Sequence, residues 1–315
     1  MKLQTQLPLK QESGQIDYSS KVLLLGSCFT ENIGAKLDYY KFQNLQNPFG
    51  IIFHPTPVER LIARAVESVN FTESDIFEQD GTWHCMEVHS LVSHRDKNAY
   101  LKLLNEKLAG FTQYLKVATH VILTYGSAWG YRYLRTDKIV ANCHKIPQKE
   151  FSKEIASVWD VSDCMERIAE AILNLNPSAK IIYTVSPVRH LKDGFVENTR
   201  SKSHLIAGIH ELTDRDVNIQ YFPAFEVMMD EMRDYRFYGD DMIHPNKTAI
   251  NIIWDRFSKV WIDPETGPLQ KEIASIQSGM AHRPFDPQSD AYREFQLDLQ
   301  KKIVMIQSKL PHVEF

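Results

Sequence analysis

Lys21-Val22-Leu23-Leu24-Leu25-Gly26-Ser27-Cys28-Phe29 is the stretch whose reading decides the fold. Lys21 to Gly26 has the length and apolarity of a buried strand. Glu31 to Tyr40 follows as a helix, with Ile33, Leu37 and Tyr40 on one face. A strand that ends in Gly-Ser and opens into a helix sets a serine hydroxyl at the top of a sheet. There it meets unpaired N–H groups and the positive end of the helix dipole. Gly26 permits the tight exit. Ser27 read alone is equally well placed to cap the helix. As a nucleophile it needs a base within hydrogen-bond reach, and the base needs an orienting group.

Outward from this strand, three more core strands are predicted at Thr119–Tyr125, Lys180–Val185 and Val217–Phe222. Helical patterns separate them, at Thr56 to Ser68, Lys97 to Leu115, Ser162 to Leu175 and Asn198 to Asp214. Thr56 is read as the cap of its helix, with Pro57 in the first turn and Glu59 closing a capping box. Phe71 to Ser93 and Tyr131 to Cys143 read as hairpin insertions. Phe225 to Met232 and Lys247 to Trp261 are helical. This alternation predicts an α/β fold with a mostly parallel sheet and helices on both faces. Residues 1–262 form the main domain. Residues 263–315 form a helical C-terminal extension, whose two helical patterns flank His282-Arg283-Pro284-Phe285-Asp286-Pro287.

Sites in such sheets lie at the carboxyl ends of the strands. That singles out Gly26-Ser27, Gly126-Ser127, Ser186-Pro187 and the loop Asp241-Met242-Ile243-His244. His244 precedes Pro245, which favours an extended turn. Asp241, three residues earlier, is spaced to hold the imidazole Nδ1 and leave Nε2 for Ser27. Asp240 competes for that orienting role.

Gly26-Ser27-Cys28-Phe29-Thr30 resembles the signature of the GSCFA family, within the wider SGNH/GDSL hydrolase superfamily. Six further segments look like that family: Asn47-Pro48-Phe49-Gly50-Ile51, Ala141-Asn142-Cys143-His144-Lys145, Ser186-Pro187-Val188-Arg189-His190, Ser201-Lys202-Ser203, Asp234-Tyr235-Arg236-Phe237-Tyr238 and Asp241-Met242-Ile243-His244-Pro245. The resemblance implies a flavodoxin-like three-layer α/β/α fold and hydrolysis or transfer of O-acyl groups, plausibly acetyl on a carbohydrate or other small molecule. It implies Ser27 as nucleophile, His244 as base and Asp241 as its partner, with no cofactor. It also implies an oxyanion site built from Ser27 and Gly50, whose missing side chain lets backbone N–H approach the substrate. The superfamily asparagine, in a Gly-x-Asn-Asp element, is replaced here by Gly126-Ser127-Ala128-Trp129. Asn142 is the substitute donor and Ser127 the second candidate. One lost oxyanion donor costs about 10²–10³ in turnover.

Other polar clusters are weighed beside these. Arg189 and His190 follow a strand end, and Arg200 and Lys202 add cationic character nearby. An Arg fork matches carboxylate, sulfate or phosphate, but it serves equally in a loop ion pair. With Ser127 and His144, Arg189 and His190 make the candidate substrate-binding set. The aromatics of Tyr235-Arg236-Phe237-Tyr238 either wall the pocket or pack the body. Cys28 is a rival nucleophile, since a helix N-terminus favours thiolate. His84, His89 and His144 would serve a rival metal-dependent hydrolase, although their spacing matches no familiar zinc motif and no metal is expected. A second rival keeps the scaffold as a ligand-binding or regulatory module without turnover.

Bulk properties exclude other classes. With 40 acidic and 36 basic side chains the net charge is −4, which gives no support for nucleic-acid or anionic-membrane partners. No apolar run reaches the ~18 residues of a spanning helix. The polar N-terminus, Met1 to Ser20, lacks the apolar block of a secretory signal, so a cytoplasmic protein is expected. Cys28, Cys85, Cys143 and Cys164 are widely spaced and read as reduced thiols.

Overall fold

A computed structural model describes residues 4–216 and 218–315. The chain runs β1 (Lys21–Gly26), α1 (Cys28–Tyr39), β2 (Gln43–Gln46) and α2 (Pro55–Glu67). A hairpin of β3 (Ile76–Gln79) and β4 (Thr82–Cys85) precedes α3 (Lys97–Val117) and β5 (His120–Tyr125). Next come β6 (Trp129–Tyr133), β7 (Lys138–Val140), β8 (Phe151–Ile155), α4 (Val158–Leu175) and β9 (Lys180–Val185). Then follow α5 (Phe195–Thr213), β10 (Ile219–Phe222), the short α6 (Ala224–Glu226) and α7 (Lys247–Trp261). The chain ends with α8 (Gly267–Met280) and α9 (Asp290–Lys309). The Val217 start expected for the last strand lies outside the described residues.

Among the described residues the main sheet has five strands in the order β10-β9-β5-β1-β2, every pair parallel. Numbered by appearance within the sheet, this is the flavodoxin-like order 2-1-3-4-5. The fold is α/β with a parallel sheet between helical layers, as the sequence predicts, with one strand more. β2 escapes the sequence pattern because Gln43-Asn44-Leu45-Gln46 is a polar edge, paired only to β1. Strand pleating divides the apolar side chains between two cores. Leu23, Leu25, Val121, Leu123, Ile181 and Tyr183 face α2, α3, α4 and α5. Val22, Leu24, Ile122 and Ile182 face α1 and α7. Ile273 and Ile276 of α8, Ile306 of α9 and Leu310 just after it join that second core, with α8 packed beside α1 and α9 against α8.

Two expectations need correction. Helix α2 begins at Pro55, and its cap is His54, whose Nδ1 accepts from Thr56 N–H at 3.2 Å. Glu59 closes no box; it pairs with Arg167 across to α4 at 2.5 Å. The region after β5 is more than a hairpin. β6 pairs with β7 and also with β8, making a three-stranded antiparallel sheet.

The strand order reverses between β1 and β5, and ligand crevices in open α/β sheets form at such a switch point. Ser27 stands at the carboxyl end of one of these strands and Gly126-Ser127 at the end of the other.

Candidate active site

Ser27 sits at the cap of α1, in extended backbone, with its Oγ accepting from Phe29 N–H at 3.3 Å. It is only 1% exposed. Gly26 makes this exit possible: its φ is +138°, and a Cβ there would overlap the carbonyl oxygen of Thr124.

His244 and Asp241 are brought together on the loop before α7. His244 Nδ1 lies 2.6 Å from Asp241 Oδ2. The other carboxylate oxygen, Oδ1, accepts the N–H groups of Ile243 (2.9 Å) and His244 (3.0 Å). These bonds, led by the His244 N–H, hold the Asp241 carboxyl down to about 2. The partner is therefore Asp241 and not Asp240. Gly239 N–H closes the loop onto His244 O at 2.8 Å. His244 is about half exposed, so its ring is open to a ligand. Among the described residues no hydrogen bond joins His244 to Ser27; the serine hydroxyl is engaged as a cap.

The segment after β9 ties the loop to the sheet. Arg189 N–H donates to Ile243 O at 3.2 Å, and the Arg189 guanidinium donates to Met242 O at 3.1 Å. His190 N–H donates to Asn198 Oδ1 at 2.8 Å. The His190 ring tilts against Phe53 with centroids 5.6 Å apart. Its buried Nε2 has no partner, and a Cβ at Gly126 would come within 2.9 Å of it. Burial, reinforced by the charges of Lys202 and His244, pushes His190 down to about 3, so it is a neutral ring.

Lys202 is the residue the sequence misplaces. Read from the chain it adds surface charge, but it is 1% exposed and lies beneath the strand ends. Its Nζ donates at 2.7 Å to both Gly126 O and Ser186 O, stapling the ends of β5 and β9. Arg200, two residues earlier, is the exposed one. Burial lowers the Lys202 amine to about 7 from an ordinary value of 10.5, against a smaller opposing effect of Cys28. Between about 7 and 10.5 this lysine therefore holds more proton in the unfolded chain than in the folded one, so its own contribution to stability rises with pH across that window. The full rise is on the order of a few kcal/mol. Lys202→Met removes it: urea-melt free energies between pH 7.5 and 10 are expected to climb less steeply than in the parent. Equal slopes would contradict the buried amine.

The remaining candidates fare unevenly. Two proposed oxyanion donors are already committed, since Ser27 N–H donates to Thr124 O at 2.9 Å and Gly50 N–H to Asn47 O at 2.8 Å. Gly50 is required for another reason: its φ is +78°, and a Cβ there would lie 2.5 Å from His89 Cβ. Asn142 uses its Oδ1 on His144 N–H at 2.8 Å, in a turn after β7. Ser127 is not a surface contact. It is buried, with its Oγ 3.0 Å from Ser201 Oγ and accepting from Trp129 N–H at 3.0 Å. His144 is buried against Cys85 O at 2.8 Å, its ring 4.9 Å from that of His84. It packs the β3–β4 hairpin instead of facing Ser27. Among the described residues no group of three or more His, Cys, Asp or Glu is disposed to hold a metal ion, so His84, His89 and His144 do not form the rival's site. Burial pushes the Cys28 thiol up, which weakens it as a rival nucleophile.

With the geometry in place, comparison with known proteins adds a family. The GSCFA family model matches residues 21–257, and that of the GSCFA domain protein, C-terminal domain, matches residues 273–315. No curated protein matches the chain. Among solved structures, a carbohydrate esterase family 3 protein from Talaromyces cellulolyticus is 13% identical with a TM-score of 0.33, over 80% of this chain and 99% of its own. An acetyl esterase mutant with acetate ion is 13% identical with a TM-score of 0.32, over 81% of this chain and 99% of its own. Both likenesses are too slight to bear on the activity of this chain.

Proposed function

This chain belongs to the GSCFA family, and from that premise we propose that it is a serine hydrolase of SGNH type, cleaving or transferring O-acyl groups of a small-molecule or carbohydrate ester. The observation that carries the reading is the 2.6 Å contact between Asp241 and the half-exposed His244, on a loop pinned to the carboxyl edge of the sheet. A carboxylate held at about 2 stays charged at any working pH. It keeps the proton on Nδ1 and leaves Nε2 as the base.

In the proposed cycle His244 Nε2 takes the Ser27 proton as Oγ attacks the acyl carbonyl. The alcohol leaves with that proton, and water repeats the sequence on the acyl-enzyme. Because the Ser27 and Gly50 N–H groups are spent on backbone carbonyls, the oxyanion falls to Cys28 N–H, in the first turn of α1 where no helical acceptor exists, and to the Asn142 amide. The chemistry calls for no cofactor.

Treatment with a fluorophosphonate, which phosphonylates activated serines, is expected to add one adduct on the Ser27 peptide, read by mass spectrometry. It should be absent in His244→Ala. An adduct elsewhere, or none, would sink the hydrolase. Asp241→Asn should keep both backbone caps yet turn an N–H toward Nδ1. Its kcat on an aryl acetate is expected to fall about 10²-fold or more with little change in KM. An unchanged kcat would remove Asp241 from the mechanism.

A second reading has its own support. Ser27 is buried and its hydroxyl serves as a cap, which also fits a binding module that has lost turnover. Such a module gives no adduct.

A further inference from the structure

A cavity of about 330 Å³ opens beside the base loop, lined by Arg189, Phe195, Asn198, Arg233, Tyr235 and Tyr238 among others. Its distinctive feature is Arg189. The guanidinium carbon lies 5.3 Å from the Phe195 ring centroid, 5.8 Å from Tyr235 and 5.3 Å from Tyr238. Such aromatic rings attract the cation and hold it in place, which is preorganisation. Among the described residues these side chains accept no hydrogen bond from it. One of the five donors goes to Met242 O. Among the described residues no carboxylate pairs with Arg189, unlike Arg233 and Arg236. Arg233 leans on Asp230 at 3.8 Å, and Arg236 on Asp234 at 3.2 Å. Asp234 is the one acidic side chain in the lining, and its carboxylate is engaged with Arg236 N–H and guanidinium.

Two aromatic walls stand open to solvent: Phe195 is 65% exposed and Tyr235 64%. They offer a flat surface for a ring beside a fixed cation.

We propose that this cavity is a subsite for a compact oxyanion on the substrate, so that the preferred ester carries a carboxylate, sulfate or phosphate next to an apolar or ring-bearing body. The oxyanion takes the free edge of Arg189 as a fork, and the body stacks on Tyr235 and Phe195. Arg189 binds the carbonyl of Met242, two residues from His244, so an anion held here lies beside the base. The proposal rests on the hydrolase reading only for where the ester bond sits.

The test pairs 3-acetoxybenzoate with its neutral isostere 3-acetoxybenzamide. Binding is measured by calorimetry on Ser27→Ala, which needs no turnover, and kcat/KM is measured on the parent. The anionic ester is expected to bind at least about 10-fold tighter. Adding Arg189→Leu should bring the ratio to about 1, and Arg189→Lys should leave it between. Tyr235→Ala, an exposed position that does not threaten folding, should cut the ratio severalfold. Equal binding of the two esters, or a ratio unmoved by Arg189→Leu and Tyr235→Ala, overturns the subsite while the parent's hydrolysis of both leaves the hydrolase standing. Preferential binding with no hydrolysis of either ester does the reverse: the subsite stands and the hydrolase falls.

Discussion

Ser27→Ala is expected to lower hydrolysis of an aryl acetate by about a thousandfold or more, the scale on which removal of a nucleophilic serine acts. The substitution also tests the simpler role, because Ser27 is the cap of α1 and its Oγ accepts from Phe29 N–H. Loss of a cap to alanine costs about 0.5–2 kcal/mol. Ser27→Ala should therefore lose both activity and a measurable part of its urea stability. Ser27→Gly separates the two, since glycine at a cap position costs only a few tenths of a kcal/mol against serine. It is expected to melt close to the parent and remain as inactive as the alanine variant. If Ser27→Gly kept the parent rate, the hydroxyl would be a cap and nothing more. The two roles also help each other: an N–H already directed at Oγ favours the alkoxide that forms there.

The second large effect is on folding. Gly26→Ala is expected to destabilise the chain by about 3 kcal/mol or more. A φ of +138° is open to glycine and strained for any L side chain, and the added methyl would fall on the carbonyl oxygen of Thr124. That oxygen cannot retreat freely. It lies at the end of β5, in parallel register with β1, and it accepts the Ser27 N–H. Relief would require parting two central strands at the point where Ser27 is presented. Chemical denaturation followed by circular dichroism reads the loss. A soluble variant within 1 kcal/mol of the parent would show that the turn relaxes locally.

How much of this is legible in the sequence depends on whether the signal is local. β9 and α7 follow from apolar period alone, and their observed ends match the expected ones, Lys180–Val185 and Lys247–Trp261. The Asp241–His244 contact is legible because three residues of loop bring the two groups together whatever the rest of the chain does. Signals that depend on a partner far along the chain are not. β2 carries no apolar run, because an edge strand needs only one neighbour. The start of α4 is masked because its capping box closes with Asp160 in place of the usual Glu or Gln. The start of α5 is missed because Phe195 and Val196 are apolar yet exposed, which breaks the helical pattern in the stretch that rims the Arg189 cavity. Lys202 is hidden for the opposite reason, since no sequence pattern announces that a lysine points inward to two carbonyls from strands 76 and 16 residues away.

Asp241 binds the N–H groups of Ile243 and His244 as well as the imidazole, and Gly239 shuts the turn on His244 O. In the proposed hydrolase the base and its orienting acid are thus held on one loop, tied to the sheet through Arg189. Bringing that loop to the serine would carry both groups together, with the base already aligned to its acid in the folded chain. Selection therefore has a simple handle. In that reading a change at Arg189 would tune or silence the chemistry while Ser27, His244 and Asp241 stayed in the sequence.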